Sequence, residues 1–338
     1  MSKGNKSKKK VVGRIFLIIA VSIVVLFAVD VCITEIYAHK IPHRFASAKE
    51  GKELILSNTD YYSNFTRNDI EYRLEKSGAT MDELLDVSSN EIRSFTLTEK
   101  YFIDRKLAKM ARTLARNNYV LPEVDEIVFI KSDMSVEMGN SGYTHGTQIY
   151  LNSTIVTTYS ILGIIPGFSK YFEELLWHEF FHCLTRCNPE FRAQMYSLIN
   201  FAVADSDFEL PPSVLERYLS NPDVEHHDSY ATFVIDGKEV DCFAAWFTTM
   251  DYEESRSSSD PWKMVVLVPV DGSDTYYTKE QASNFDDVFG TNTDYVIDPE
   301  ECMADNFAYA MLYGIKGKEG KGYPNPEIIQ GVIDAVGR

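Results

Sequence analysis

The sequence predicts an α+β fold with a small mixed sheet, preceded by one helix of membrane-crossing length. Three observations carry that prediction. There is an uncharged apolar run near the N-terminus, a pair of short apolar strand patterns at 126–131 and 148–152, and helical periodicity at 98–117, 170–186 and 299–313. The chain has 338 residues, 45% hydrophobic and 25% charged, so disorder is excluded as its main content and there is ample material for a core.

Ile15 to Val29 contains no charge, and admitting Asp30 extends the run to Ile33. At about 1.5 Å per residue this is roughly 28 Å, the thickness of a bilayer core. Lys3, Lys6, Lys8, Lys9, Lys10 and Arg14 precede it. By the positive-inside rule, residues 1–14 form a basic cytoplasmic tail, 15–34 a transmembrane signal-anchor, and the rest lies outside the cytoplasm. A cleaved signal peptide is the alternative, but Ala46-Ser47-Ala48 lies too far downstream to serve as its small-x-small site. Residues 35–94 read as a stalk or N-terminal helical region and 95–338 as the main domain.

Charge follows the same division. Asp and Glu outnumber Lys and Arg by 50 to 33, a net −17. The six cations above against Asp30 and Glu35 leave +4 on residues 1–38, hence −21 on the remaining 300. So acidic a body has no electrostatic footprint for nucleic acid, and that partner class is excluded.

The elements follow in order. Residues 39–93 are polar and helical in pieces. Tyr101, Leu107, Met110, Ala111 and Leu114 take helical spacing within 98–117. Glu126–Lys131 reads as a buried strand, Met138–Gly146 as a turn region, and Gln148–Asn152 as a second strand, expected at the sheet edge, where an extended peptide could add. A long helix from Lys170 is stopped by Asn188-Pro189, and 204–275 reads as loop-rich and acidic, broken at Pro211-Pro212 and Asn221-Pro222. Asp298 and Pro299 suit the N-cap and first position of a last strong helix, ended by Gly314. Of the four cysteines beyond the anchor, Cys183 and Cys187 share one helix, so a bridge from either to Cys242 or Cys302 is favoured over one between them; free buried thiols are the alternative.

The long helix contains His178-Glu179-Phe180-Phe181-His182. Two histidines four apart share a helical face, so both imidazoles can reach one metal ion, and the glutamate between them can hold and deprotonate a water. Zinc then needs a third protein ligand. Thr185 and Asn188 stand where a metzincin would have glycine and histidine, which excludes that extension. His226 and His227 are available but sit in a polar loop. Glu301 and Asp305, four apart on the last helix, could serve as ligand and as orienter of a ligand imidazole. Glu301 also falls at N3, where it could simply close a capping box on Asp298, and Glu300 is the fallback ligand. His145 could contact substrate or be an ordinary turn histidine.

The two helices together resemble the gluzincins, thermolysin-like zinc peptidases in which a HExxH helix is followed by a second helix supplying Glu, with an Asp four residues on. The PEE-x-x-ADNF wording also resembles a group of membrane-anchored bacterial proteins. The resemblance implies a zincin-like domain over 95–338, Zn²⁺ held by His178, His182 and Glu301, Glu179 as the base, and Asp305 behind His178. It also implies Tyr295 as the oxyanion donor, since gluzincins often place a Tyr or His nearby. The implied activity is extracytoplasmic hydrolysis of a peptide or protein substrate. The rivals are a surface-anchored binding or structural protein with a vestigial or structural zinc site, and a zinc amidase acting on cell-wall peptides.

Overall fold

The structure, a computed structural model, describes residues 3–163, 165 and 167–337. It has a mixed α/β architecture. The apolar run lies within one helix, Lys3–Ala38, of which Arg14–Ala38 is long and apolar enough to cross a membrane.

Two five-stranded sheets organise the rest. In the first, β1 (His43–Phe45) and β5 (Gln148–Asn152) flank β3 (Ile127–Ser132) in parallel. The two-residue β2 (Ile92–Arg93) pairs antiparallel with the end of β3, and β4 (Gly142–His145) closes the other edge antiparallel to β5. The strand expected at the edge, 148–152, is therefore internal, and the edge is β4, which the sequence presents as part of a Gly- and Asn-rich turn. β3 is buried along its whole length and alternates between two cores. Ile127 and Phe129 join the core formed with the helix Leu97–Asn117 and the helix Lys170–Cys187. Val128 and Ile130 face Ile55, Tyr61, Tyr62 and Leu84.

Residues 39–94, read as a stalk or N-terminal helical region, carry four short helices between Ala48 and Asn90 and supply two strands of the first sheet and the apolar cover of its second face. Their tie is also ionic. Arg73, buried, pairs with Glu137 and donates to the Ser220 carbonyl, while Asp69 accepts from the Ser220 amide at 2.7 Å. Arg73→Ala leaves two carboxylates buried without their cation, so a loss of about 3–5 kcal/mol in unfolding free energy is expected, read from the shift of a urea denaturation midpoint.

The stretch 204–275, expected to be loop-rich, instead carries most of a second, antiparallel sheet. Its order is β6 (Ala202–Val203), β7 (Ser229–Ile235), β8 (Lys238–Thr248), β9 (Lys263–Pro269), β10 (Tyr277–Thr278). β7 and β8 are joined by Asp236-Gly237, both at positive φ, as a two-residue hairpin turn requires. Phe233, Cys242, Ala244 and Leu267 face the main core, whereas Phe243, Ala245, Phe247 and Val266 face a smaller one. All five cysteines are unpaired, so the favoured bridge to Cys242 or Cys302 is absent and the free-thiol alternative holds. Three of the thiols are buried in the apolar core.

Candidate metal centre

Two helices make the site. The first, Lys170–Cys187, ends before Pro189; the second, Pro299–Tyr313, begins with Asp298 accepting from the Glu300 amide at 2.8 Å. They are locked by aromatic packing: the Phe307 ring lies 5.3 Å from Phe181 and 5.9 Å from Trp177, centroid to centroid. This contact sets His178 and His182 against Glu300, Glu301 and Asp305.

Glu301 Oε2 lies 3.0 Å from His178 Nε2 and 3.6 Å from His182 Nε2. Donor atoms held about 2.0–2.1 Å from a tetrahedral zinc ion sit roughly 3.3 Å apart, so these separations suit three ligands of one ion. His182 Nε2 is buried and makes no hydrogen bond, a costly arrangement for an isolated imidazole and the ordinary one for a ligand. The opposite ring nitrogens are both held by carboxylates. His178 Nδ1 is 2.9 Å from Asp305 Oδ1, and His182 Nδ1 is 2.8 Å from Glu300 Oε1. Such partners fix the tautomer that presents Nε2 to a metal.

Glu301 is fully buried and does not close a capping box. Its second oxygen accepts from Asn221 Nδ2 at 2.6 Å and from the Tyr295 hydroxyl at 3.1 Å. Glu300, the fallback ligand, is turned the other way and also accepts from Thr185 at 2.6 Å and from the Tyr196 hydroxyl. Burial would raise the Glu300 carboxyl, but its bond to His182 and the nearby charge of Arg186 outweigh that and hold it below the usual range. Burial likewise opposes a charge on His182, yet Asp223, Glu300 and Glu301 outweigh it and lift the imidazole to about 9. Four carboxylates, Asp223, Glu300, Glu301 and Asp305, thus surround the two imidazoles.

Glu179 is buried beside this cluster. Its Oε2 accepts from the Thr144 hydroxyl at 2.8 Å, and burial raises its carboxyl above the ordinary range. Strand β4 lies directly on it: a Cβ on Gly142 would come within 2.9 Å of Glu179 Oε1. His178, Glu179, Tyr295 and Asp223 share one cavity of about 290 Å³. The Tyr295 ring stacks near His178, with centroids 6.1 Å apart.

Asn221 and Asp223 are the members that sequence reasoning missed. Asp223 is buried, accepts from the Thr144 amide at 2.6 Å, and places Oδ1 3.9 Å from His182 Nε2. Glu179, His182 and Asp223 form a second group whose ligand atoms all lie within 4.8 Å of one another. The one trace in the sequence is a proline between two short polar residues in a stretch otherwise marked only as a break.

The three other histidines considered for the site, His145, His226 and His227, stand elsewhere. His145 lies 3.3 Å from Asp60 and 3.5 Å from Glu225, His226 is exposed beside Asp207, and His227 Nε2 bonds the Tyr218 hydroxyl at 2.8 Å. Burial pushes the His227 imidazole down to about 4, whereas in the unfolded chain it titrates near 6.5. The unfolded state therefore binds the extra proton first. The stability that a neutral His227 retains above pH 6.5 is lost as pH falls toward 4, and His227→Phe is expected to flatten that part of a pH-dependent urea-midpoint curve.

No family model, curated protein sequence or solved structure matches this chain. The centre's chemistry therefore rests on its own geometry.

Proposed function

We propose that this protein is a membrane-anchored, extracytoplasmic zinc peptidase of the gluzincin type, with a zincin-like body. One observation carries the reading: three ligand atoms converge, both histidines are oriented by carboxylates, and a fourth carboxylate, Glu179, shares the adjoining cavity. His178, His182 and Glu301 would hold zinc, with Asp305 and Glu300 fixing the two rings. Bound there, zinc supplies a Lewis acid that polarises a carbonyl and acidifies water.

The protein's own groups do the rest. Glu179 Oε1, the oxygen that Thr144 leaves free, takes the proton of the attacking water and passes it to the leaving amine. Tyr295 holds Glu301 at rest. To serve the oxyanion its hydroxyl must turn from Glu301 Oε1, which Asn221 still holds.

One observation favours the rival reading of a structural site in a binding protein: Asp223, near His182 Nε2, is available as a fourth protein donor, and closed four-ligand sites are structural. The full chain, purified in detergent and loaded with zinc, separates the two. Cleavage within a mixed peptide library, abolished by a chelator and restored by zinc, is expected. One zinc per chain with every peptide left intact would sink the peptidase reading.

A further inference from the structure

A set of exposed apolar side chains lies at the height where the N-terminal helix leaves the apolar zone. That helix runs parallel to Leu97–Asn117, and the contacts fix their register. The Phe27 ring meets Tyr101 at 5.9 Å between centroids, Asp30 bonds Tyr101 at 2.6 Å and Arg105 at 3.0 Å, and Arg112 lies over the Tyr37 ring at 6.0 Å. The Asp30–Arg105 pair is half-exposed and lies about one turn short of the outer end of the 15–34 span, so it marks the level of the outer interface. Leu97 is 86% exposed and stands one turn before Tyr101, about 6 Å nearer the middle of the apolar zone.

The helix Ser153–Leu162 and the loop after it sit at the same height. Thr157 bonds Glu99 at 2.7 Å, the Phe172 and Phe102 rings are 4.9 Å apart, and Lys106 bonds Ser169 at 2.5 Å. Between these ties Ile161, Leu162, Ile165 and Phe168 are exposed. The acids at this level are already paired: Glu99 with Lys131, and Glu173 with Lys106 and Lys109. Nothing charged and unpaired among them would have to enter an apolar phase.

We infer that Leu97, Ile161, Leu162, Ile165 and Phe168 form a face seated in the outer surface of the bilayer that the N-terminal helix crosses. The inference rests on the spanning reading of that helix. The apolar side chains bury in the interface while Arg105 and Lys170 reach the head groups. Tyr171, three residues past Phe168, bonds Ser141 Oγ at 2.6 Å, and both border the cavity that holds His178 and Glu179. The cleft therefore opens against the bilayer, and its substrates are peptide segments held close to the membrane surface.

Tryptophan quenching tests this without any activity assay. The full chain is reconstituted in phosphatidylcholine vesicles whose acyl chains carry bromine near the head-group end, and the emission of the three native tryptophans is subtracted. Ile161→Trp and Phe168→Trp are expected to lose most of their added emission, as is Ile19→Trp in the spanning helix. Leu215→Trp, exposed beside the second sheet, should keep its emission. If Ile19→Trp is quenched while Ile161→Trp and Phe168→Trp match Leu215→Trp, the face is not on the bilayer and the inference falls alone. If Ile19→Trp also keeps its emission, the spanning reading falls and takes the inference with it.

Discussion

Glu179→Gln is expected to leave zinc content unchanged and to lower peptide hydrolysis by about 10²–10⁴-fold, the span usual for loss of a general base. Glutamine is isosteric with the carboxylate it replaces. Its amide oxygen can still accept from Thr144, and its shape still fits beneath Gly142, where β4 leaves no spare room. What disappears is the proton acceptor. The three atoms assigned to zinc are untouched, so metal analysis of the purified variant should match wild type. Equal turnover in the two proteins would remove Glu179 from the mechanism, and with it the strongest argument against a structural site.

Glu301→Ala and Glu300→Ala should part company in the same measurement. Loss of Glu301 removes one of three ligands and leaves Asn221 and Tyr295 aimed at nothing, so the protein is expected to purify without zinc. Loss of Glu300 frees His182 Nδ1 but keeps every ligand, which typically weakens metal affinity by about 10–100-fold. Titration against a chelating dye resolves the difference. Zinc retained by Glu301→Ala and lost by Glu300→Ala would reverse the assignment made from the 3.0 Å and 2.8 Å contacts.

The sequence exposed the two site helices because each obeys local rules. Helical spacing put His178 beside His182 and Glu301 beside Asp305, and Asn188-Pro189, Asp298-Pro299 and Gly314 set the ends within a residue. Glu300 was visible only as a competitor for Glu301. Its actual work, across to His182, Thr185 and Tyr196, depends on the angle at which the helices cross. Nothing periodic announces Asn221 or Asp223, which reach the site because Asp69 and Arg73 hold Ser220 from more than 140 residues away. Part of the second sheet is written in the sequence. Alternation through Ser229–Ile235, then Asp236-Gly237, is a hairpin signal, obscured by the acidic residues and prolines around it.

The outward amides of strand β4 at Thr144 and, just beyond its end, at Gly146 are taken by Asp223 and Glu225, and Arg186 donates to the Thr144 carbonyl. A sheet edge normally invites another chain to zip onto it. Here two carboxylates and a guanidinium stopper that edge. At this edge a second chain finds little free ladder to extend.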